Sequence, residues 1–253
     1  GEVVESPASG QRFEIRAARV TEIGPVGDDY PLQKKRHSFE FLRTLGHLRM
    51  RTNTLGAVMR VRHAASRAIR RFFDERGFLE LHTPILSTSD CEGAGSMFRA
   101  THFDPANAPR TPDGATDWSQ DFFARPAFLT VSGQLEAEIG ALALSRVYSF
   151  GPTFRAENSN TSRHLAEFWI VEPEVAFLDL DGDAALAEEF LRAVLRELLE
   201  RCGDDLRFFD QHVERGWRAF ALVGPVPFTT TGVIRGLTTP LAAAGIGVFV
   251  IST

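Results

Sequence analysis

Cysteine is scarce in this chain. Of 253 residues only Cys91 and Cys202 are cysteine, and they lie far apart without metal-ligand spacing. That argues against a disulfide framework or a cysteine-rich zinc site and reads as reduced thiols, the state expected in the cytosol. The chain also lacks any apolar run long enough to span a bilayer, and it does not open on a signal-peptide pattern. It has no large excess of one charge: 28 Lys and Arg against 33 Asp and Glu leave a net charge of -5, so the whole molecule is not a polycation. What is present is ordinary for a globular protein, with 43% hydrophobic and 24% charged residues. Basic residues are nevertheless concentrated locally. From Lys34 to Arg71 eleven Lys or Arg accompany a single acid, Glu40. That run is either a footprint for an RNA backbone or a hinge followed by a solvated helix face. The first residue is Gly and Thr253 follows directly on an apolar run, so both ends read as cut.

The most informative stretch runs from Phe150 to Glu174. Val147, Phe150 and Phe154 favour a strand, and Gly151-Pro152 opposes a helix. Asn158 to Ser162 is a polar loop by composition, and Phe168, Ile170 and Val175 resume a strand. Side chains two apart share a face of an extended chain, which puts Arg155 beside Glu157. A fixed guanidinium next to a fixed carboxylate suits a ligand with an anionic part and a hydrogen-bond donor part, and the planar fork of Arg matches phosphate. Arg163 and His164 add positive charge from the loop. A salt-bridged hairpin with a solvated loop accounts for the same residues without any ligand.

Phe154-Arg-Ala-Glu-Asn-Ser-Asn-Thr-Ser-Arg-His-Leu-Ala-Glu-Phe168 resembles the second signature motif of class II aminoacyl-tRNA synthetases. The likeness is greatest to the asparaginyl members, with the aspartyl members next. It is long and nearly continuous, which makes it more specific than a spaced pattern. It implies an α+β fold: an antiparallel sheet with flanking helices, preceded by partial OB-fold strands and followed by a partial ferredoxin-like, ACT-like segment.

Taken in order, residues 1–26 hold two extended pieces, Gly1–Glu5 and Phe13–Ile23, joined by a turn at Ser6–Gly10. By resemblance they are the tail of an anticodon-binding OB-fold. Residues 27–53 resemble the hinge that follows it, and residues 54–215 the catalytic domain. Leu55–Arg76 reads as a helix with its apolar stripe on Val58, Val61, Ala65, Ile69 and Phe72, closed by Gly77 as a left-handed cap. Phe78–Leu86 reads as a strand interrupted at Pro84. That helix and strand resemble the first class II motif, which builds the dimer interface, so a homodimer is expected. Cys91–Phe98 is a Gly-rich turn. Thr101–Ala127 is too long for a tight turn and reads as an excursion. Phe128–Val131 is a strand, Ser132 an N-cap, and Gly133–Ser145 a helix that buries Leu135, Ile139 and Leu142. Asp183 caps a helix over Ala184–Cys202 with Leu186, Phe190, Val194 and Leu198 on one face. Residues 216–253 leave the synthetase pattern. Their strand–helix–strand order resembles the first half of an ACT domain, with a plain βαβ unit as the alternative.

The resemblance assigns roles. Arg155 would grip the α-phosphate of ATP and the amino-acid carboxylate as the catalytic residue. Glu157 would accept from the adenine amino group, Arg163 and His164 would face the terminal phosphates, and Phe168 would stack on adenine. Glu92 and Gln134 would contact the amino acid. ATP and Mg2+ are the implied cofactors, and L-asparagine and its tRNA the implied partners. The third class II motif, with its arginine and the acids that hold magnesium, has no match after Arg207. The expectations are therefore an asparagine–tRNA ligase, present as a fragment or fusion whose activity without that motif is left open, or a non-catalytic nucleotide- or amino-acid-binding module. An ammonia-dependent asparagine synthetase is a third reading, disfavoured by the strands and basic hinge that precede the catalytic part.

Overall fold

The computed structural model describes residues 1–9, 11–91, 97–158 and 164–212. The chain divides into two compact units, Gly1–Gly56 and Ala57 onward. In the first unit β1 (Glu2–Glu5) and β2 (Phe13–Arg16) pair antiparallel, Val3 opposite Ile15. The second strand is shorter than the expected Phe13–Ile23. Beyond Arg16 the chain has no ladder partner among the described residues, and Ile23 is fully exposed. A short helix α1 (Phe39–Thr44) follows, capped by the Ser38 hydroxyl, which accepts from the Phe41 N–H at 3.2 Å.

Helix α2 (Asn53–Asp74) runs into the second unit. Its end is a Schellman motif. Gly77 has φ +72°, its N–H reaches the Asp74 carbonyl at 3.0 Å, and the Phe78 N–H reaches Phe73 at 3.0 Å. Phe78 then packs edge-on against Phe73, ring centres 5.1 Å apart. The buried stripe of α2 is Ala57, Ala64, Ala68, Phe72 and Phe73. It is shifted from the expected one, and Val58 is exposed. Alanine has little to bury by transfer, but its small size lets a helix approach its neighbours closely.

The expected single strand across Pro84 is two strands in two sheets. β3 (Leu79–Leu81) joins β7 (Arg146–Phe154), and β4 (Leu86–Ser87) joins β6 (Ala127–Leu129). Pro84 lies between them, where a missing N–H costs no ladder bond. β5 (Arg99–Ala100) completes the order β4-β6-β5. Helix α3 (Gln134–Leu144) precedes β7, and β8 (Glu167–Val175) follows it. The main sheet is β3-β7-β8. β3 lies parallel to β7, and β7 antiparallel to β8. Helices α4 (Leu180–Arg201) and α5 (Gly203–His212) close the described chain.

Strand alternation gives the main sheet two unlike faces. Tyr148 of β7 joins Phe72, Phe73 and Phe78 in the aromatic core, against which Phe150, Val171, Val175, Leu186 and Phe190 also pack. The stacked Phe73 and Tyr148 rings are 4.4 Å apart. Burial, and then the hydrogen bond to Glu80 at 2.9 Å, raise the Tyr148 pKa. Of the α4 face expected from sequence, Leu186 and Phe190 pack here, joined by Ala193, and the N-cap is Asp179, whose side chain accepts from the Gly182 N–H. Residue 183 already lies within the first turn. Ion pairs tie α2 to α4 and α5, Arg60–Asp205 at 2.6 Å and Arg71–Glu197 at 3.2 Å, and Arg76 in the turn after α2 pairs with Glu189 of α4 at 3.2 Å. Part of the basic run is therefore engaged within the fold.

The other face of the sheet carries Val147 against Ala137 and Ala141 of α3. The large side chains expected in the core, Leu135, Ile139 and Leu142, are instead exposed, Leu142 by 87%. Only the alanine side of α3 fits against the strands. A methyl at Gly140 would come within 2.3 Å of Leu81, and a bulkier side would hold the helix off the sheet.

Candidate active site

The α3 face of the hairpin β7–β8 gathers the polar groups. Register pairs Ser149 with Glu172 and Thr153 with Phe168. Alternation then puts Ser149, Thr153 and Arg155 on one side with Phe168, Glu172 and Glu174. The Arg155 guanidinium stands 5.5 Å from the centre of the Phe168 ring, a cation–π contact. The Arg155 N–H donates to the Ala166 carbonyl at 3.0 Å and closes the mouth of the loop. Glu157 and His164 are exposed at either side of that loop. Arg163 and Glu92 lie outside the described residues.

At the other end of the face, Glu172 accepts from the Ser132 hydroxyl, the Gly133 N–H at 2.9 Å and the Ser149 hydroxyl at 2.9 Å. A carboxylate thus meets the positive start of α3. Gly133 is required for this approach, since a Cβ there would fall 2.5 Å from Thr83 Oγ1 and 3.0 Å from Ser149 Oγ. The expected N-cap serine is displaced by one position: Gly133 takes the cap backbone, while the Ser132 hydroxyl accepts from the Gln134 N–H at 3.0 Å. Gln134 is the first residue of α3. Its Nε2 donates to Glu138 at 3.0 Å, and its Oε1 lies 3.8 Å from the Cys91 thiol. Glu174, one strand repeat beyond Glu172, has a raised pKa, caused by burial and then by the carboxylates of Glu138, Glu172 and Asp183.

A cleft of about 280 Å³ opens where β3 ends beside β7, with Thr83, Thr130, Gly133, Ser149 and Glu172 among its walls. Arg155, Glu157, Gln134 and Phe168 do not line it. The structure therefore brings Arg155 and Phe168 together, leaves Glu157 and His164 at the surface nearby, and places Gln134 at the α3 start. Sequence reasoning missed Glu172, Ser149 and Gly133 as a group. The available signal was two carboxylates, Glu172 and Glu174, following the apolar run Phe168–Val171 within one strand.

The hairpin of this mixed sheet presents Arg155, Phe168 and the half-buried carboxylate of Glu172 on one face. The family model described as tRNA synthetases class II (D, K and N) matches residues 38–224, and the chain belongs to that family. Within it, the chain is similar to the asparagine–tRNA ligase of a Picosynechococcus strain, 63% identical over 222 residues, covering 87% of this chain and 48% of the relative. The asparagine–tRNA ligase of Geobacter sulfurreducens is 61% identical over 216 residues, 85% of this chain and 47% of the relative. The chain therefore spans about half the length of the curated relatives it matches. Among solved structures it resembles the asparaginyl-tRNA synthetase of Pyrococcus horikoshii complexed with asparaginyl-adenylate, with TM-score 0.67 and 26% identity over 94% of this chain and 49% of that one. An ACT domain model matches residues 212–253. The expected ACT-like segment, residues 216–253, lies outside the described residues. No helix among the described residues is long and apolar enough to cross a membrane.

Proposed function

We propose that the α3 face of β7–β8 binds an aminoacyl-adenylate and its precursors, ATP and asparagine, as part of a cytoplasmic, homodimeric asparagine–tRNA ligase. The observation that carries this reading is the Arg155–Phe168 pair on the same strand face as Glu172. Phe168 and Glu172 are four strand steps apart, roughly 14 Å at 3.4 Å per residue, a span suited to a base at one end and an amino acid at the other. Phe168 offers its ring to adenine, and Glu157 is near enough in sequence to accept from the adenine amino group. Arg155 supplies a fixed positive charge where the α-phosphate gathers negative charge as the asparagine carboxylate attacks phosphorus. The bond to the bridging oxygen breaks and pyrophosphate leaves. The adenylate then passes its aminoacyl group to the tRNA and releases AMP. Preorganised cations of this kind lower the barrier because they need no reorganisation as charge develops. Glu172, held by Ser132, Gly133 and Ser149, is oriented to receive donors of the amino acid, with Gln134 and Glu92 as further contacts. Arg163 and His164 are assigned to the terminal phosphates. Mg2+ is the second cofactor of this reading, and among the described residues no group of three or more His, Cys, Asp or Glu is placed to hold a metal. Residues 1–26 are assigned to anticodon binding, 27–53 to the hinge, 54–215 to the catalytic domain and 216–253 to an ACT-like part.

Titration of the chain with ATP and with a non-hydrolysable asparaginyl-adenylate analogue, followed by ATP–pyrophosphate exchange, tests the proposal. Arg155→Ala is expected to lower analogue affinity and, wherever exchange is measurable, to cost about 100- to 1,000-fold in rate. Unchanged binding and exchange would remove Arg155 from the site. The ACT match favours a second reading, an amino-acid-responsive binding module without catalysis. Analogue binding with no exchange in any assembly state would select it.

A further inference from the structure

The fold holds the two carboxylate oxygens of Glu172 unequally. Oε2 accepts both from the Gly133 N–H at 2.9 Å and from the Ser149 hydroxyl at 2.9 Å. Oε1 accepts from the Ser132 hydroxyl. Each carboxylate oxygen has about two acceptor positions. Oε2 is therefore filled from within the fold, while among the described residues Oε1 keeps one acceptor position without a donor. That position is the one a ligand N–H can take.

The three donors differ in where they stand. Ser132 and Gly133 belong to the turn into α3, and the Ser132 hydroxyl also accepts from the Gln134 N–H at 3.0 Å. Ser149 lies on the middle strand of the main sheet, in register with Leu81 of β3 on one side and Glu172 of β8 on the other. It is buried, and among the described residues its hydroxyl bonds only to Glu172. A group fixed on a central strand holds its geometry better than one on a turn. The last side-chain torsion of Glu is broad and gives little orientation by itself. Without the Ser149 hydroxyl, Glu172 would be tied to the α3 turn alone. Each of its oxygens would then offer an acceptor position, and two positions would compete for one ligand donor.

We propose that Ser149 is a positioning residue for the amino-acid half of the adenylate. By filling Oε2 from the sheet, it leaves Glu172 a single acceptor, on Oε1, for an N–H of the amino acid. Ser149 acts through Glu172 and not on the base or the phosphate. The proposal rests on the adenylate reading of the site and names within it the residue that orients Glu172.

Ser149→Val and Ser149→Thr provide the test, because they add the same bulk and differ in the hydroxyl. The cleft of about 280 Å³ that Ser149 and Glu172 both line leaves room for the added methyl. Calorimetric titration of the full chain with ATP, and with the non-hydrolysable asparaginyl-adenylate analogue, separates the two halves of the site. Ser149→Val is expected to weaken analogue binding about tenfold, the lower end for a hydrogen bond to a charged group, with no matching loss for ATP. Ser149→Thr is expected to restore the analogue affinity. Ser149→Ala, which adds no bulk, is expected to lose as much as Ser149→Val. In a Glu172→Ala background Ser149→Val is expected to cost nothing further, since the two residues act as one unit. Equal losses for Val and Thr, equal losses for analogue and ATP, or full additivity with Glu172→Ala would make Ser149 a packing residue and overturn the proposal. Analogue binding that Ser149→Val and Ser149→Ala leave intact would defeat this role and leave the adenylate reading standing. No analogue binding by the unaltered chain would remove that reading and this role with it.

Discussion

Asp121 shows how a side chain far from the proposed site can govern its surroundings. It is buried in the 101–126 excursion and accepts from the N–H groups of His102 at 3.2 Å and Phe122 at 2.8 Å, and from the His102 ring. Burial opposes its ionisation, but hydrogen bonds from Thr101, Phe122 and His102 outweigh burial and hold the pKa at about 2. A depressed carboxyl contributes stability that is present above its unfolded pKa, near 4, and is lost as pH falls through the folded value. Asp121→Asn is therefore expected to lower the melting temperature at pH 7, with the difference shrinking between pH 4 and pH 2. Glu174 has the opposite sign. Its raised pKa means that the folded chain holds the proton more tightly than the unfolded one. Stability falls as pH climbs from the ordinary glutamate range through the raised value. Glu174→Gln is expected to raise the melting temperature at pH 7 to 8, with the difference vanishing below about pH 4. A melting series of the two variants across pH checks both signs.

At the scale of elements, the start of α3 is a tight junction. Thr130, Ser132, Gly133 and Ser149 converge on it and on Glu172. Gly133→Ala would drive a methyl into Thr83 and Ser149 and is expected to cost about 1–3 kcal/mol, typical of overpacking, measured by denaturant unfolding. Phe73→Ala empties the centre of the aromatic cluster and is expected to cost about 3–5 kcal/mol. These two sites differ in how visible they were from sequence. The cluster was readable because Ile69, Phe72 and Gly77 obey helix spacing and a helix stop. Arg155 and Phe168 could each be singled out because their motif is contiguous, but their contact comes from the structure. The Glu172 site was not, because Ser132 and Ser149 lie 40 and 23 residues away in sequence and meet Glu172 only through strand register. The faces of α3 were misread for a related reason. Leu135, Ile139 and Leu142 form a convincing apolar stripe, but the sheet accepts only the Ala137–Ala141 side.

At the scale of the whole molecule, the two compact units differ sharply in what they bury. In the first, Leu42 is the only buried hydrophobic residue among the described residues, and Val3, Phe13 and Ile15 of the hairpin are exposed. A two-stranded hairpin without a covered face is marginal in water. The second unit holds the aromatic cluster, the α3 packing and the ion pairs between α2, α4 and α5. Protection from exchange follows buried contacts and shielded hydrogen bonds, so the units are expected to open separately. Backbone amides of Val3–Glu5 and Phe13–Arg16 should exchange orders of magnitude faster than those of Val147–Thr153 and Phe72–Phe73. Limited proteolysis should first cut between Ala17 and His37, where residues are almost all exposed. The product beginning near Ser38 is expected to keep the slow exchange of β7, β8 and α2, and to keep the adenylate-analogue affinity of the intact chain, because every side chain placed in that site lies beyond Ala57. Loss of β7 protection on removal of the first unit would show instead that the hairpin unit supports the site.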